Sequence, residues 1–348
     1  MMTVARARFL ATVLLFAVTR VVSGGQPVTI ATVQFRVTEE TFASVETFRS
    51  AVEQIVDRAV SEYSADIVIF PEYLNVFLIA SRFSRAVEQA STVGDALRRI
   101  TVEQASADPH ALMQSAADTV SGAAMEMWAE IAVAYGVTIV GGTFFVLEDQ
   151  PDGLELRNRL VVFAEDGTVA YKQDKVYLTD VERFDLGIRP GNIDDAEPVE
   201  LEGLSVGFTI CRDSFFDTWH EPLEGSELWV DLRANGERFS DEVRQRFRRS
   251  LPQRVRQTDA IAGVNATLTG HFLDLVWEGR SYAVDESGVR IAESRELVGT
   301  EITVVKLVPA VQATDLSQLP PHSAAHLTQP ATRIMITPRP SSTADRNE

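Results

Sequence analysis

The chain holds one cysteine, Cys211, and it stands directly after a strand-like apolar run at 204–210. Two other residues able to hold or move charge occupy the same kind of position. Glu72 follows the run at 66–70 and a proline, and Lys175 follows the run at 169–172. A thiol becomes a strong nucleophile once a base takes its proton, and a nearby carboxylate can be that base. Attack of a thiolate on an amide carbon builds negative charge on oxygen, which an ammonium and backbone N–H groups can stabilise. A carboxylate and an ammonium at close range keep each other charged even when partly buried. Singly, each residue has an ordinary reading as a solvated strand-end carboxylate, a surface lysine or a small core side chain. Jointly they are more specific, because a twisted sheet gathers side chains from the carboxyl ends of separate strands.

The elements that must position these residues are legible from patterning. Residues 28–37 (VTIATVQFRV) alternate and are β-branched, which predicts a first strand. Phe48, Val52, Ile55, Val56 and Val60 recur at helical spacing and predict a helix ending near Tyr63. A short apolar strand at 66–70 then leads to Pro71-Glu72. Residues 75–121 are rich in Ala, Ser and Arg with weak helical periodicity, and are expected to form helices or loops covering the site. A helix is predicted over 125–135, ended by Gly136, and a strand over 137–145. Strands at 160–164 and 169–172 flank Glu165-Asp166-Gly167, and strands at 280–284 and 289–292 flank Asp285-Glu286-Ser287-Gly288. Both read as hairpins. A helix at 242–258 and a buried strand at 260–269 complete the pattern. Hairpins among mixed strands and helices point away from a purely doubly wound sheet. They favour an α/β fold with two sheets face to face and helices outside, a four-layer α-β-β-α sandwich in a single domain.

The 348 residues are 45% hydrophobic and 24% charged, enough for a substantial core. A net charge of −18 argues against nucleic acid and anionic lipid as partners. One cysteine permits no intrachain disulfide and no cysteine-rich metal site. At the amino end, Arg6 and Arg8 precede an apolar run at 9–18, followed by Val22-Ser23-Gly24-Gly25. This has the layout of a secretory signal peptide. Residues 1–24 are therefore expected to direct export to the periplasm or the medium, or to remain as a membrane-associated anchor if uncleaved. The main domain is expected over 25–315, with a Pro-, Ser- and Thr-rich tail over 316–348.

Three segments resemble, in order, the motifs of the nitrilase superfamily of carbon–nitrogen hydrolases. The strand leading to Pro71-Glu72 is similar to the first, which supplies a glutamate base. Residues 167–182 (GTVAYKQDKVYLTDVE) resemble the second, placing its lysine at Lys175 with Tyr177-Leu178 following. Residues 206–213 (VGFTICRD) resemble the third, with the nucleophile at Cys211. Pro190-Gly191, Val264-Asn265 and Gly279-Arg280-Ser281 match supporting segments, so the resemblance runs from about Val28 to Leu307. It implies catalytic roles for Glu72, Lys175 and Cys211, and for Glu182, which many members use to orient the lysine or position substrate. It also implies the Arg212 backbone N–H as an oxyanion donor, and Tyr73, Tyr177, Asp213 and Phe215 as substrate-pocket residues. Neither cofactor nor metal is implied, and a homodimer or larger homo-oligomer is.

This sequence departs from the common pattern in two places. Phe216-Asp217-Thr218-Trp219 stands where many members continue with Pro-Glu, and Tyr177 replaces a commoner histidine. Asp213, two residues past the cysteine, is typical of amidase-type members, whereas true nitrilases typically carry Trp-Glu there. The expectation is therefore an amidase-like hydrolase that turns a small amide or N-carbamoyl substrate into an acid plus ammonia or an amine. Nitrile hydrolysis, acyl transfer and a non-catalytic binding protein on the same fold are the alternatives. Rival constellations are weaker. Cys211 with His220 or His271 lacks the local sequence of a papain-like nucleophile. His322 and His326 lack a third metal ligand, and Gly141-Gly142 lacks the lysine of a phosphate-binding loop.

Overall fold

The structure is a computed structural model that describes residues 26–104, 109–151, 153–309 and 334–335. The expected signal segment, His322, His326 and most of 316–348 lie outside the described residues.

Strand alternation divides the core into layers. In β1 (Val28–Val37), Val28 and Ile30 face one way, while Val33, Phe35 and Val37 face the other. In β2 (Ile67–Ile69), Ile67 and Ile69 likewise oppose Val68. The period of two along each strand is what lets one sheet serve two interfaces. One half of the sheet contains β1, β2, β3 (Thr138–Gln150), β4 (Gly153–Phe163) and β5 (Val169–Asp174) in the order β5-β4-β3-β2-β1. The other half contains β6 (Val199–Leu201), β7 (Leu204–Ile210), β8 (Leu228–Arg233) and β9 (Ala262–Phe272) in the order β9-β8-β7-β6. Parallel pairing of Gln34–Val37 with Thr267–Gly270 joins the halves.

The halves pack face to face. Ile30, Ile67, Ile69 and Val140 of the first meet Val206, Phe208, Ile210 and Val264 of the second in one buried cluster. Outside the first half lie α1 (Val45–Tyr63) and α5 (Pro109–Tyr135), which bury Val52, Val56, Trp128 and Ile131 against Phe35 and Phe70. The smaller α6 (Asp241–Phe247) and α7 (Leu251–Arg256) cover the second half, where Leu251 and Val255 meet Trp229 and Val284. The expected four-layer sandwich is what the chain forms. Two further strands, β10 (Leu275–Trp277) and β11 (Tyr282–Asp285), pair with β9, and β12 (Arg290–Glu293) completes the hairpin expected there. Strand β13 (Glu301–Leu307) runs antiparallel to β1, and β14 (Ile334–Met335), inside the expected tail, pairs with β13.

Three elements differ from expectation for identifiable reasons. Helix α5 starts at Pro109 rather than near Met125. Its first half buries Ala117, Ser121 and Ala124, in helical phase with Trp128 and Ile131, and such small residues give little hydropathy contrast. The helix expected over 242–258 is two helices. Pro252, in the first turn of α7, would clash with the carbonyl four residues before it in a continuous helix. Strands β3 and β4 pair from Ile139↔Phe163 out to Gln150↔Gly153, well beyond the expected limits. Their outer ends carry Glu148, Asp149, Glu155 and Arg157, so apolar alternation fades there.

The pair Gly141-Gly142 has a structural use. The β3–β4 register shifts between Val140 and Thr143, and Gly142 sits there at φ 76°. A Cβ on Gly142 would stand 2.4 Å from the Pro71 carbonyl oxygen, one residue before Glu72. The bulge also aims the Thr143 hydroxyl oxygen to accept the Tyr73 N–H at 2.9 Å. Gly142→Ala is expected to destabilise the fold by about 2 kcal/mol, combining left-handed strain with the clash. Urea unfolding monitored by circular dichroism measures it, and an unchanged midpoint would contradict this account of the turn.

Candidate active site

Glu72 leaves the end of β2 through Phe70-Pro71, Lys175 follows β5, and Cys211 follows β7. The first two come from one half of the sheet and the third from the other, so face-to-face packing is what brings them together. Lys175 Nζ lies 2.7 Å from Glu72 Oε1 and 2.9 Å from Glu182 Oε1. All three side chains are buried, at 1% exposure or less. The backbone fixes Lys175 on both sides. Its N–H donates to the Asn158 carbonyl, and its own carbonyl accepts from the Gly191 N–H, each at 2.9 Å. A Cβ on Gly191 would meet Asp174 Cβ at 2.6 Å, so the Pro190-Gly191 segment approaches as closely as a glycine allows.

Glu182 arrives on a π-helical turn, Val181–Asp185. Its Oε2 accepts from the Thr179 N–H at 2.8 Å and the Thr179 hydroxyl at 3.0 Å, which leaves Oε1 for Lys175. Cys211 opens a 3-10 turn, Cys211–Phe215, with its own φ at 52°. A left-handed residue at a strand end turns the side chain sharply out of the strand direction. The half-buried thiol neighbours the Glu72 carboxyl as a hydrogen-bond partner and lies 3.8 Å from the Ala234 carbonyl oxygen. Arg212, next in that turn, presents a backbone N–H that a helical turn's own carbonyls cannot reach. Its side chain donates to the Leu178 carbonyl at 3.1 Å.

Burial and charge set the protonation states. Burial alone would push the Lys175 ammonium down, but Glu72 and Glu182 outweigh it and hold Lys175 protonated. Burial pushes Glu182 up, and Lys175 with the Thr179 N–H pulls it below the usual carboxylate range. Glu72 is pushed up to about 7, by burial against the pull of Lys175 and with a further push from Glu182. The Cys211 thiol is also pushed up, by burial and then by the Glu72 charge. Two carboxylates and one ammonium leave the cluster net negative, which disfavours a standing thiolate. The resting arrangement is a thiol beside a carboxylate poised to receive its proton.

Tyr73 lies at the cluster, with its ring 5.6 Å from Lys175 Nζ and its hydroxyl a hydrogen-bonding neighbour of Glu182. Asp213 is fully buried, and its Oδ1 accepts the Tyr177 N–H at 2.7 Å, tying the lysine loop to the cysteine turn. Burial pushes Asp213 up to about 7, against that hydrogen bond. The Tyr177 ring stacks on Phe216 at 3.8 Å, and its hydroxyl meets Thr218 Oγ1 at 2.7 Å. Phe215 turns toward Phe247 of α6, with ring centroids 5.8 Å apart. Of the rival histidines, His220 sits edge-on to Trp229, and His271 is exposed on β9.

Sequence reasoning missed two features. Asn158 Nδ2 donates to Glu72 Oε1 and Glu182 Oε1, at 3.1 Å each, and so bridges the two carboxylates. The signal was present, since Leu156, Asn158 and Leu160 share one buried face of β4. Behind the nucleophile, buried Arg233 bonds Asp231 and reaches Ser250 Oγ at 2.9 Å. The Asp231 carboxylate accepts from the Cys211 backbone N–H, bracing the cysteine turn.

Residues 29–314 match the family model described as carbon-nitrogen hydrolase. The chain belongs to the carbon–nitrogen hydrolase family. The chain is also 28% identical over 190 residues to the probable hydrolase YhcX of Bacillus subtilis (strain 168). That match covers 55% of this chain and 31% of the relative, so the chain spans about a third of the relative's length. Among solved structures, a carbon-nitrogen hydrolase from Helicobacter pylori G27 aligns with a TM-score of 0.56 at 15% identity, covering 80% and 88% of the two chains. The amidase of Nesterenkonia sp. AN1, bearing the acetamide moiety of fluoroacetamide on its active-site cysteine, aligns at 0.57 and 18%, covering 83% and 92%. A complex of that amidase with butyramide aligns at 0.56 and 18%, covering 80% and 90%. At these identities the structural likeness shows the shared nitrilase-type fold.

The Asn158 bridge reduces repulsion between two carboxylates that share one lysine. Asn158→Ala is expected to lower kcat/KM about tenfold to a hundredfold, the range for losing hydrogen bonds to a charged group. Without that donor, ionised Glu72 loses a stabilising contact, so the acid limb of the pH profile moves to higher pH. A pH–rate series on both proteins measures this, and superimposable profiles would remove Asn158 from the site.

Proposed function

We propose that this hydrolase cleaves a non-peptide carbon–nitrogen bond of an amide or N-carbamoyl substrate through a thioester on Cys211. The buried Glu72–Lys175–Glu182 cluster beside a left-handed Cys211 carries the reading. Glu72 takes the thiol proton as sulfur attacks the carbonyl carbon. The new oxyanion is held by the Lys175 ammonium and the Arg212 N–H. Glu72 returns the proton to the nitrogen, the carbon–nitrogen bond breaks, and ammonia or an amine leaves. A water then gives its proton to Glu72 and attacks the thioester, and collapse of that adduct releases the acid and the thiol. Glu182 keeps Lys175 oriented while Glu72 changes charge.

Other observations agree with this reading. A thiol that stays protonated at rest suits a base poised near neutrality, because proton transfer and attack then proceed together. The amidases among the structural neighbours, one complexed with butyramide, make small amides the natural first substrates. Export directed by residues 1–24 and assembly into homo-oligomers belong to the same proposal, on the leader-like sequence and on the family resemblance respectively.

Cys211→Ala is expected to reduce ammonia release by at least about a thousandfold, as when a nucleophile is removed. Substantial turnover in that variant would sink the thioester route. The wild-type profile is a second check. Glu72 accepts a proton only when ionised, so kcat/KM should fall as pH drops through about 7. A rate that is level across that region would exclude Glu72 as the base.

A further inference from the structure

An apolar cavity of about 190 Å³ adjoins the polar cluster, and Tyr73 is a wall of both. Its other walls come from the helices between Glu72 and β3, from Phe145 on β3 and from the β9–β10 turn. Val76, Phe83, Leu97, Ile100 and Met113 line it together with Trp277. The helices concerned are α2 (Leu78–Ser81), α3 (Ser84–Glu88), α4 (Val93–Glu103) and the start of α5. Among the described residues that line it, none has a charged side chain, and only Tyr73 and Thr101 carry a side-chain hydroxyl. Val181 and Leu186, at the two ends of the turn carrying Glu182, also line it and place it beside that residue. Val181 and Leu275 are exposed, so solvent meets the lining of the cavity at these residues.

We infer that this cavity binds a nonpolar chain attached to the scissile amide, so that the preferred substrate is a medium- to long-chain aliphatic amide. The inference rests on the proposed hydrolysis and names its substrate class. The position of Tyr73 identifies the occupant. Its hydroxyl is a hydrogen-bonding neighbour of Glu182, its ring lies 5.6 Å from Lys175 Nζ, and the same side chain lines the cavity, so a substrate whose carbonyl reaches Lys175 has nonpolar walls beside it. The size suits a chain, since a dry void of roughly 150 Å³ already encloses a benzene ring in another protein. The lining also excludes a class. An N-carbamoyl amino acid seated with its carboxylate in the cavity would find no cation among the described lining residues, a desolvation penalty they do not offset.

The test compares straight-chain primary amides from butanamide to decanamide, and separately N-alkyl acetamides of the same lengths, by kcat/KM. Calorimetric binding of the same amides to the Cys211→Ala protein accompanies it. Each added methylene should raise kcat/KM about fourfold until the cavity fills, more than about a hundredfold from butanamide to octanamide. The series that responds assigns the chain to the acyl or the amine side. Ala80→Phe and, independently, Leu97→Trp should shrink the ratio of octanamide to butanamide kcat/KM by narrowing the cavity. If no amide is turned over but octanamide binds Cys211→Ala much more tightly than butanamide, the cavity assignment stands and the hydrolysis proposal falls. Equal handling of short and long chains, in both turnover and binding, overturns the inference.

Discussion

A lysine ammonium buried between two carboxylates is the constraint on which the rest of this structure depends. Lys175, Glu72 and Glu182 are each almost wholly removed from water. An isolated charge in such a place is severely penalised, and only close, well-hydrogen-bonded partners make it tolerable. Lys175 must therefore reach both carboxylates at once, and each carboxylate needs further donors. Those donors come from separate parts of the chain: Asn158 from β4 and Thr179 from the loop before the π-helical turn. A small displacement of any one element would strand a buried charge. The long β3–β4 ladder and the close approaches at Gly142 and Gly191 keep those elements from moving independently.

The same triangle governs the thiol. Two carboxylates against one ammonium put net negative charge beside Cys211, so the sulfur keeps its proton until a substrate supplies somewhere for charge to go. In the proposed reaction an attacked carbonyl does so, by moving charge onto an oxygen that Lys175 and the Arg212 N–H would face. Holding the thiol at that spot is the task of the second half of the sheet. Cys211 takes a left-handed backbone there, with Asp231 accepting its N–H and Arg233 neutralising Asp231. Asp213 closes the arrangement by bonding the Tyr177 N–H, so the lysine loop and the cysteine turn move as one body.

How much of this was legible in the sequence follows from what each residue does. Strands β1, β2 and β7 read clearly because buried aliphatic side chains alternate along them. The residues just beyond β2, β5 and β7 stood out because a carboxylate, an ammonium and a thiol stood at matching strand ends. Alternation could not show that Lys175 and Glu182 pair with each other, and motif resemblance supplied that link. Asn158 and the Asp231–Arg233 pair stayed hidden for one reason. A polar residue on a buried strand face looks like a break in the pattern, and its purpose appears only when the facing charges are in place. The early part of α5 was obscured by its small buried residues, which pack closely without raising hydropathy.

The site thus joins two environments that ordinarily exclude each other, and Tyr73 is where they meet. On one side of its ring stand three charged groups whose mutual attraction is strong because water is absent. On the other stand side chains that gain by excluding water from a nonpolar group. An aromatic ring with a polar tip suits that boundary, since its face tolerates a nearby cation while its edges pack against aliphatic neighbours. The left-handed backbone of Tyr73, at φ 64°, with its N–H fixed on Thr143, holds the ring in the dividing position. Glu72 is the preceding residue, so the backbone that positions the proposed base also sets the wall of the apolar cavity. The proposed chemistry and the proposed chain recognition therefore meet at two adjacent residues, and a substrate group seated against Tyr73 would bear directly on the placement of Glu72.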